Sequence, residues 1–218
     1  MKINSIVAGA ALIALAGSVQ MAKANIIPYP STGSLNATTY SFTANGGDVT
    51  AYFAGASAGD TDILGLYANS TFYWGSPTSL NNHLSNIGDS TDFGTFALGT
   101  TLVFVLKDTS SGNTYYSDPT KNADGINHIY STSYDSSGTP NLGAGIPSGT
   151  FVSFEDLYGG GDKDYNDLQF VFENVTPGTP GQTSSVPEPS TVVAGALLLL
   201  PFGVSTLRVL RNRKLASR

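Results

Sequence analysis

The chain has 218 residues, no cysteine and a formal net charge of −6. Without cysteine there is no disulfide framework and no thiolate metal site, and an acidic chain is a poor partner for nucleic acid or anionic lipid. Every Asp and Glu except Glu188 lies between Asn25 and Val186, where Lys107, Lys121 and Lys163 are the only basic residues, so this middle is far more acidic than the whole.

In chain order, the first 24 residues read as an export signal. Lys2 supplies a positive start, Ile3 to Val19 an apolar stretch of small residues, and Ala22-Lys23-Ala24 an A-x-A cleavage site. Cleavage after Ala24 is expected, leaving Asn25 as the mature N-terminus.

Residues 25–175 are expected to form one all-β domain, a single β-sandwich or jelly-roll-like fold. Strands are predicted at Thr39–Thr43, Val49–Ala54, Ile63–Tyr67, Thr71–Trp74, Thr101–Leu106, Thr114–Tyr116, Thr150–Phe154 and Leu168–Phe172, separated by Gly, Asn, Asp, Ser and Pro clusters. Nearly every residue of Leu102–Leu106 is apolar, as in a strand buried on both faces. In the last strand Leu168, Phe170 and Phe172 fall on one face, with Gln169 and Glu173 on the other. No segment of this region shows a helical period.

Trp74, beside Gly75 at the end of a predicted strand, is the candidate for stacking on a sugar ring. His83 reads as loop surface. Asn122 and Asp124 are candidate oxygen ligands for a second metal site or for part of a shared one, although Asp124-Gly125 also suits a plain turn. His128 is a poor calcium ligand and is expected to pack or hydrogen-bond through its ring.

The chemistry concentrates between Phe154 and Leu168. Asp162, Asp164 and Asn166 stand at alternate positions with Asp167 next, after Gly159-Gly160-Gly161, and Glu155 and Asp156 lie at the end of the preceding strand. Hard oxygen donors at alternate positions of a tight loop suit calcium, which takes six to eight oxygens at about 2.3–2.6 Å. The expected ligands are therefore Asp162, Asp164, Asn166, Asp167, Glu155 and Asp156. The same residue types also form hydrogen-bonded Asx turns with no ion. The pattern is not an EF-hand, since Asp167 stands where that loop needs glycine. No nucleophile motif is present and the carboxylates crowd too closely for a clean acid and base pair, so the chain is not expected to be an enzyme.

Phe154-Glu155-Asp156-Leu157 followed by Asp162-Lys163-Asp164-Tyr165-Asn166-Asp167 resembles the signature of the bacterial domain of unknown function DUF4114. The resemblance implies a β-rich fold and a metal-binding loop in a secreted, adhesin-like protein, and carries no known reaction.

Residues 176–186 read as a Pro, Gly, Ser and Thr linker. Beyond them Val186-Pro187-Glu188-Pro189-Ser190 precede an uncharged run from Thr191 to about Leu207, followed by Arg208, Arg211, Arg213 and Lys214. As a helix the run would span about 25 Å, near the thickness of a bilayer core, and the basic tail would hold the C-terminus in the cytoplasm. Residues 187–218 resemble the PEP-CTERM sorting signal of Gram-negative bacteria. That resemblance implies an exosortase-type membrane protease as partner, which removes the tail and delivers the protein to the cell surface or extracellular matrix. The functional expectation is a non-enzymatic surface or polysaccharide-matrix protein with a calcium-stabilised loop. The rival is a carbohydrate-binding, lectin-like adhesion module.

Overall fold

The alternating apolar residues of the chain are resolved into two antiparallel sheets in a computed structural model that describes residues 27–75 and 79–178. The first sheet has the order β11 (Val175–Gly178), β1 (Ser41–Ala44), β6 (Thr101–Asp108), β3 (Asp62–Ala68) and β4 (Thr71–Trp74), with β7 (Thr114–Tyr116) pairing the C-terminal half of β6. The second has the order β5 (Ser90–Phe96), β2 (Gly47–Ala56), β10 (Leu168–Phe172), β9 (Gly149–Phe154) and β8 (Ile129–Tyr134). Among the described residues a single 3-10 turn, Pro119–Lys121, is capped by the Asp118 side chain. Asn69 and Ser70 both have positive φ (48° and 66°), as a two-residue hairpin between β3 and β4 demands.

The sheets pack face to face. Phe42, Leu64, Leu66 and Phe104 of the first meet Phe53, Phe154, Phe170 and Phe172 of the second in one buried cluster. Phe104 and Phe172 stack across the interface with ring centroids 3.9 Å apart. Leu168, Phe170 and Phe172 share the core face, as their alternation predicts. Val171 turns the other way into a second cluster with Ala54, Phe151, Leu142 and Ile146.

Leu142 and Ile146 belong to the long connection from β8 to β9, which covers the outer face of the second sheet. Hence β10, and not β6, is the strand buried on both faces throughout. On the outer face of β6, Val105 is buried but Val103 is only half-buried, so the predicted burial of Leu102–Leu106 holds at all but that position.

All eight predicted strands are present, within a residue or two at their ends. Three more were not predicted: β5, β8 and β11. The linker expected from residue 176 is corrected here, since Thr176, Pro177 and Gly178 pair with Thr43, Phe42 and Ser41. Pro177 is compatible with a strand because β11 lies at the sheet edge, where one side of its backbone needs no partner. The expected signal segment 1–24, the expected sorting motif Val186, Pro187, Glu188, Pro189 and Ser190, and the basic residues Arg208, Arg211, Arg213 and Lys214 lie outside the described residues. Among the described residues no helix is long and apolar enough to cross a membrane.

Replacing Phe172 by Ala would leave a cavity under the Phe104 ring. Stability measured by urea unfolding is expected to fall by about 3–5 kcal/mol.

Candidate metal centre

Glu155-Asp156 directly follow strand β9, and successive residues of an extended chain point to opposite sides. Glu155 turns toward the Gly159–Asp164 loop and Asp156 toward β3. This alternation divides the expected ligands into two groups.

The first group is Glu155, Asp162 and Asp164, whose oxygens lie within 4.8 Å of one another. That is about the separation of two ligands across one calcium ion. Glu155 is fully buried; one carboxylate oxygen accepts the Tyr165 N–H at 2.6 Å and the other has no hydrogen-bond partner. Burial pushes the Glu155 carboxyl up to about 7, opposed by the Tyr165 and Lys163 N–H groups and aided by the charges of Asp162 and Asp164. Asp164 is also raised, by burial and then by Asp162. Among the described residues no lysine or arginine forms a salt bridge with these carboxylates, Lys163 included.

The loop reaches this geometry through left-handed backbone. Gly159, Gly160 and Gly161 have φ of 82°, 81° and 45°, and Lys163 and Tyr165 follow at 60° and 54°. A Cβ on Gly161 would stand 2.6 Å from the unpartnered Glu155 oxygen, so only glycine lets the backbone pass there.

Tyr165 anchors the loop. Its ring is buried edge-on against Tyr29, with centroids 4.7 Å apart. Its hydroxyl accepts the Asn36 N–H at 2.8 Å and donates to the Asn127 carbonyl at 3.1 Å. The Gly33 N–H reaches the Lys163 carbonyl at 3.0 Å, so the segment before β1 braces the loop from outside. None of Tyr29, Asn36, Asn127 or Tyr165 was a predicted functional residue; their partners lie far away in sequence.

Asn166 stays beside the first group but is tied to Asp164, its amide donating to that carboxylate. Asp167 turns instead toward Asp156, whose N–H it accepts at 3.0 Å. Burial raises the Asp62, Asp156 and Asp167 carboxyls; the Asp156 charge adds to the rise of Asp62 and of Asp167, whereas its contacts with those two lower Asp156 itself. Asp156, Asp167 and Asp60 share with Glu155 and Asp162 the lining of one cavity of about 320 Å³.

Asn122 and Asp124 are not brought into either group. The Asn122 side chain accepts the Tyr116 N–H and donates to the Tyr116 and Ile126 carbonyls, closing its own turn. Asp124 accepts from Gly159 N–H and from the His128 ring, both at 2.9 Å. Burial alone would raise the Asp124 carboxyl, but those donors and the Ile126 N–H hold it below its usual value. His128 is fully buried against Tyr115, and its other ring nitrogen donates to the Glu155 carbonyl at 3.0 Å. Asp124 and His128 thus fasten the glycine loop to the end of β9. Trp74 is 47% exposed, and His83 lies on the surface with its ring against the Asp60 carbonyl.

The description "domain of unknown function (DUF4114)" belongs to the family that matches this chain over residues 57–174. No curated protein and no solved structure matches it.

The raised carboxyls fix the pH dependence of the metal-free protein. A raised folded-state value means that the folded chain holds protons the unfolded chain releases, so stability falls as pH rises. For Glu155 the window runs from about 4.5 to about 7. In chelator, unfolding free energy is expected to drop across it by on the order of 3 kcal/mol for Glu155, and to go on falling toward about pH 8, to which the Asp62 and Asp167 carboxyls are raised. Rising stability over that range would contradict the burial of these groups.

Proposed function

The chain belongs to the DUF4114 family, and we propose that it is an exported, non-enzymatic surface or polysaccharide-matrix protein in which calcium rigidifies the Gly159–Asp167 loop. In this reading Glu155, Asp162 and Asp164 supply the charged oxygens, with Asn166 positioned beside them. The 187–218 segment serves as a sorting signal for an exosortase-type membrane protease.

One observation above all supports the calcium reading: a fully buried Glu155 oxygen without a donor, aimed at two further carboxylates. Buried carboxylates persist in proteins when paired with a cation, a donor or a proton. An all-oxygen set without sulfur or nitrogen favours calcium over zinc or copper. Calcium needs more ligands than three carboxylates offer singly, and bidentate contacts, loop carbonyls and water would complete the shell. The ion would offset the mutual repulsion of a loop already committed to left-handed backbone.

A second reading, a carbohydrate-binding module, is supported by the outer face of the first sheet. Tyr67, Phe72 and Trp74 form a row of edge-on rings with centroids 4.9 and 4.6 Å apart, and Tyr116 lies 6.2 Å from Tyr67. Tyr67 and Tyr116 line an open groove of about 690 Å³ together with Asn69, Asp118 and Lys121. Half-exposed aromatic faces beside amide, carboxylate and ammonium groups are the chemistry of sugar recognition.

Calcium at a hundredfold excess over its dissociation constant should add about 2.7 kcal/mol, a rise of several degrees in Tm. Magnesium should add little, and Glu155→Gln should remove most of the calcium effect. An equal calcium shift in wild type and Glu155→Gln would end the reading. For the second reading, Tyr67→Ala with Trp74→Ala should weaken binding to extracellular polysaccharide by about tenfold or more; undiminished retention in a pull-down would remove it.

A further inference from the structure

We propose that the cavity of about 320 Å³ beside the acidic loop is a docking site for an amino sugar, whose ammonium and hydroxyl groups meet the carboxylates of Asp60, Asp156 and Asp167.

Five of the residues lining this cavity carry carboxylates, and the Ser57 hydroxyl is the one side-chain donor among them. Lys107, Lys121 and Lys163 are the only lysines among the described residues, which hold no arginine, and none of the three lines the cavity or forms a salt bridge with a described residue. Acids alone make a solvated surface, but two of these are withdrawn from solvent. Glu155 is 0% exposed with one oxygen that has no hydrogen-bond partner, and Asp156 is 4% exposed. A buried carboxylate oxygen in the wall of a donor-poor cavity is satisfied by donors and positive charge brought from outside.

The shape of the cavity narrows the ligand class. Its volume lies at the lower end of the about 300–1,000 Å³ that holds small ligands, so there is room for a ring and not only for an ion. The acids come from both sheets: Asp60 leads into β3, Asp156 follows β9 and Asp167 precedes β10. A lysine side chain brings its donors on one nitrogen, whereas an amino sugar spreads an ammonium and several hydroxyl donors around a rigid ring. Leu157, 48% exposed and part of the same wall, offers an apolar surface to the C–H face of that ring. The walls are held in advance. The Asp156 N–H fixes the Asp167 carboxylate at 3.0 Å, and the Ser57 N–H holds the Asp167 carbonyl at 3.1 Å. The Asn82 amide donates to the Asp60 carbonyl at 2.6 Å, which the His83 ring also reaches. The same acids repel uronic and sulfated sugars, and N-acetylation removes the charge that they attract. The choice of a sugar among amines rests on the polysaccharide-matrix reading above; the demand for an organic cation does not.

The full chain is titrated by calorimetry with a glucosamine oligomer, with its N-acetylated counterpart and with oligolysine of equal charge, all in chelator so that no divalent ion shares Glu155 and Asp162. Asp60→Asn and Asp60→Lys are run alongside. Asp60 is half-buried and holds Asn82 and His83 through its backbone carbonyl, so both variants should fold as wild type does. The glucosamine oligomer is expected to bind about tenfold or more tighter than the acetylated one and to lose about tenfold in Asp60→Asn, the effect of one charge-assisted hydrogen bond. Asp60→Lys, which brings its own ammonium to the cavity, should abolish binding. Equal affinity for the acetylated oligomer, unchanged affinity in both Asp60 variants, or oligolysine bound as tightly as the sugar would each overturn the inference. Retention on extracellular polysaccharide that survives Asp60→Lys but is lost in Tyr67→Ala with Trp74→Ala would keep the matrix reading and remove this site. Glucosamine binding without such retention would do the reverse.

Discussion

Six carboxylates brought to one end of a β-sandwich, Glu155 and Asp62 among them with buried oxygens that have no hydrogen-bond partner, set the terms for everything around them. Burial and mutual repulsion both disfavour the charged forms, so this end of the domain is stable only with protons or cations in place. The backbone concedes a good deal to create that arrangement. Five residues near the loop sit in left-handed conformations, two of them not glycine. Such backbone is kept only when its surroundings leave no alternative.

Those surroundings are neutral or internally paired. Tyr165 plugs the loop into the segment before β1; Asn36 and Asn127 spend their amides on backbone carbonyls around it. Asp124 and His128 pair with each other while holding a Gly159 amide and the Glu155 carbonyl. Each of these groups makes its bonds within the protein, which leaves the unpartnered oxygens concentrated at the carboxylate groups. The division between saturated support and unsaturated acids is what distinguishes a built site from a polar surface.

Much of the fold was legible because interior strands announce themselves. β6 and β10 are runs of Val, Leu and Phe, and the alternation of Leu168, Phe170 and Phe172 gave the core face correctly. The three unread strands, β5, β8 and β11, are all sheet edges. An edge strand can bury one face and leave half its backbone unpaired, so serine, threonine and even Pro177 are accepted there and the pattern fades. The acidic loop was visible as spacing, Asp162 to Asp167, and so was Glu155 beside it. What sequence could not supply was the split between Glu155 and Asp156, which follows from strand pleat, and the arrival of Asp62, which depends on how the sheets face each other. Asn122 and Asp124 have the residue types of ligands, but their donors and acceptors are consumed by turns that only the folded chain reveals.

The place of β10 has a consequence for how the domain comes into being. It is the centre of the second sheet, joining β5 and β2 on one side to β9 and β8 on the other, yet it is the next-to-last strand to be synthesised. Until residue 172 is available the two halves have no common partner, and the Phe104 ring has nothing from β10 to stack on. Pairings between β10 and β2 span more than a hundred residues of chain, the kind of long-range closure that makes folding slow. Assembly of this sheet is therefore a single late event, and a nascent chain shorter than residue 172 is left with two unjoined strand pairs, β5–β2 and β9–β8, and exposed strand edges.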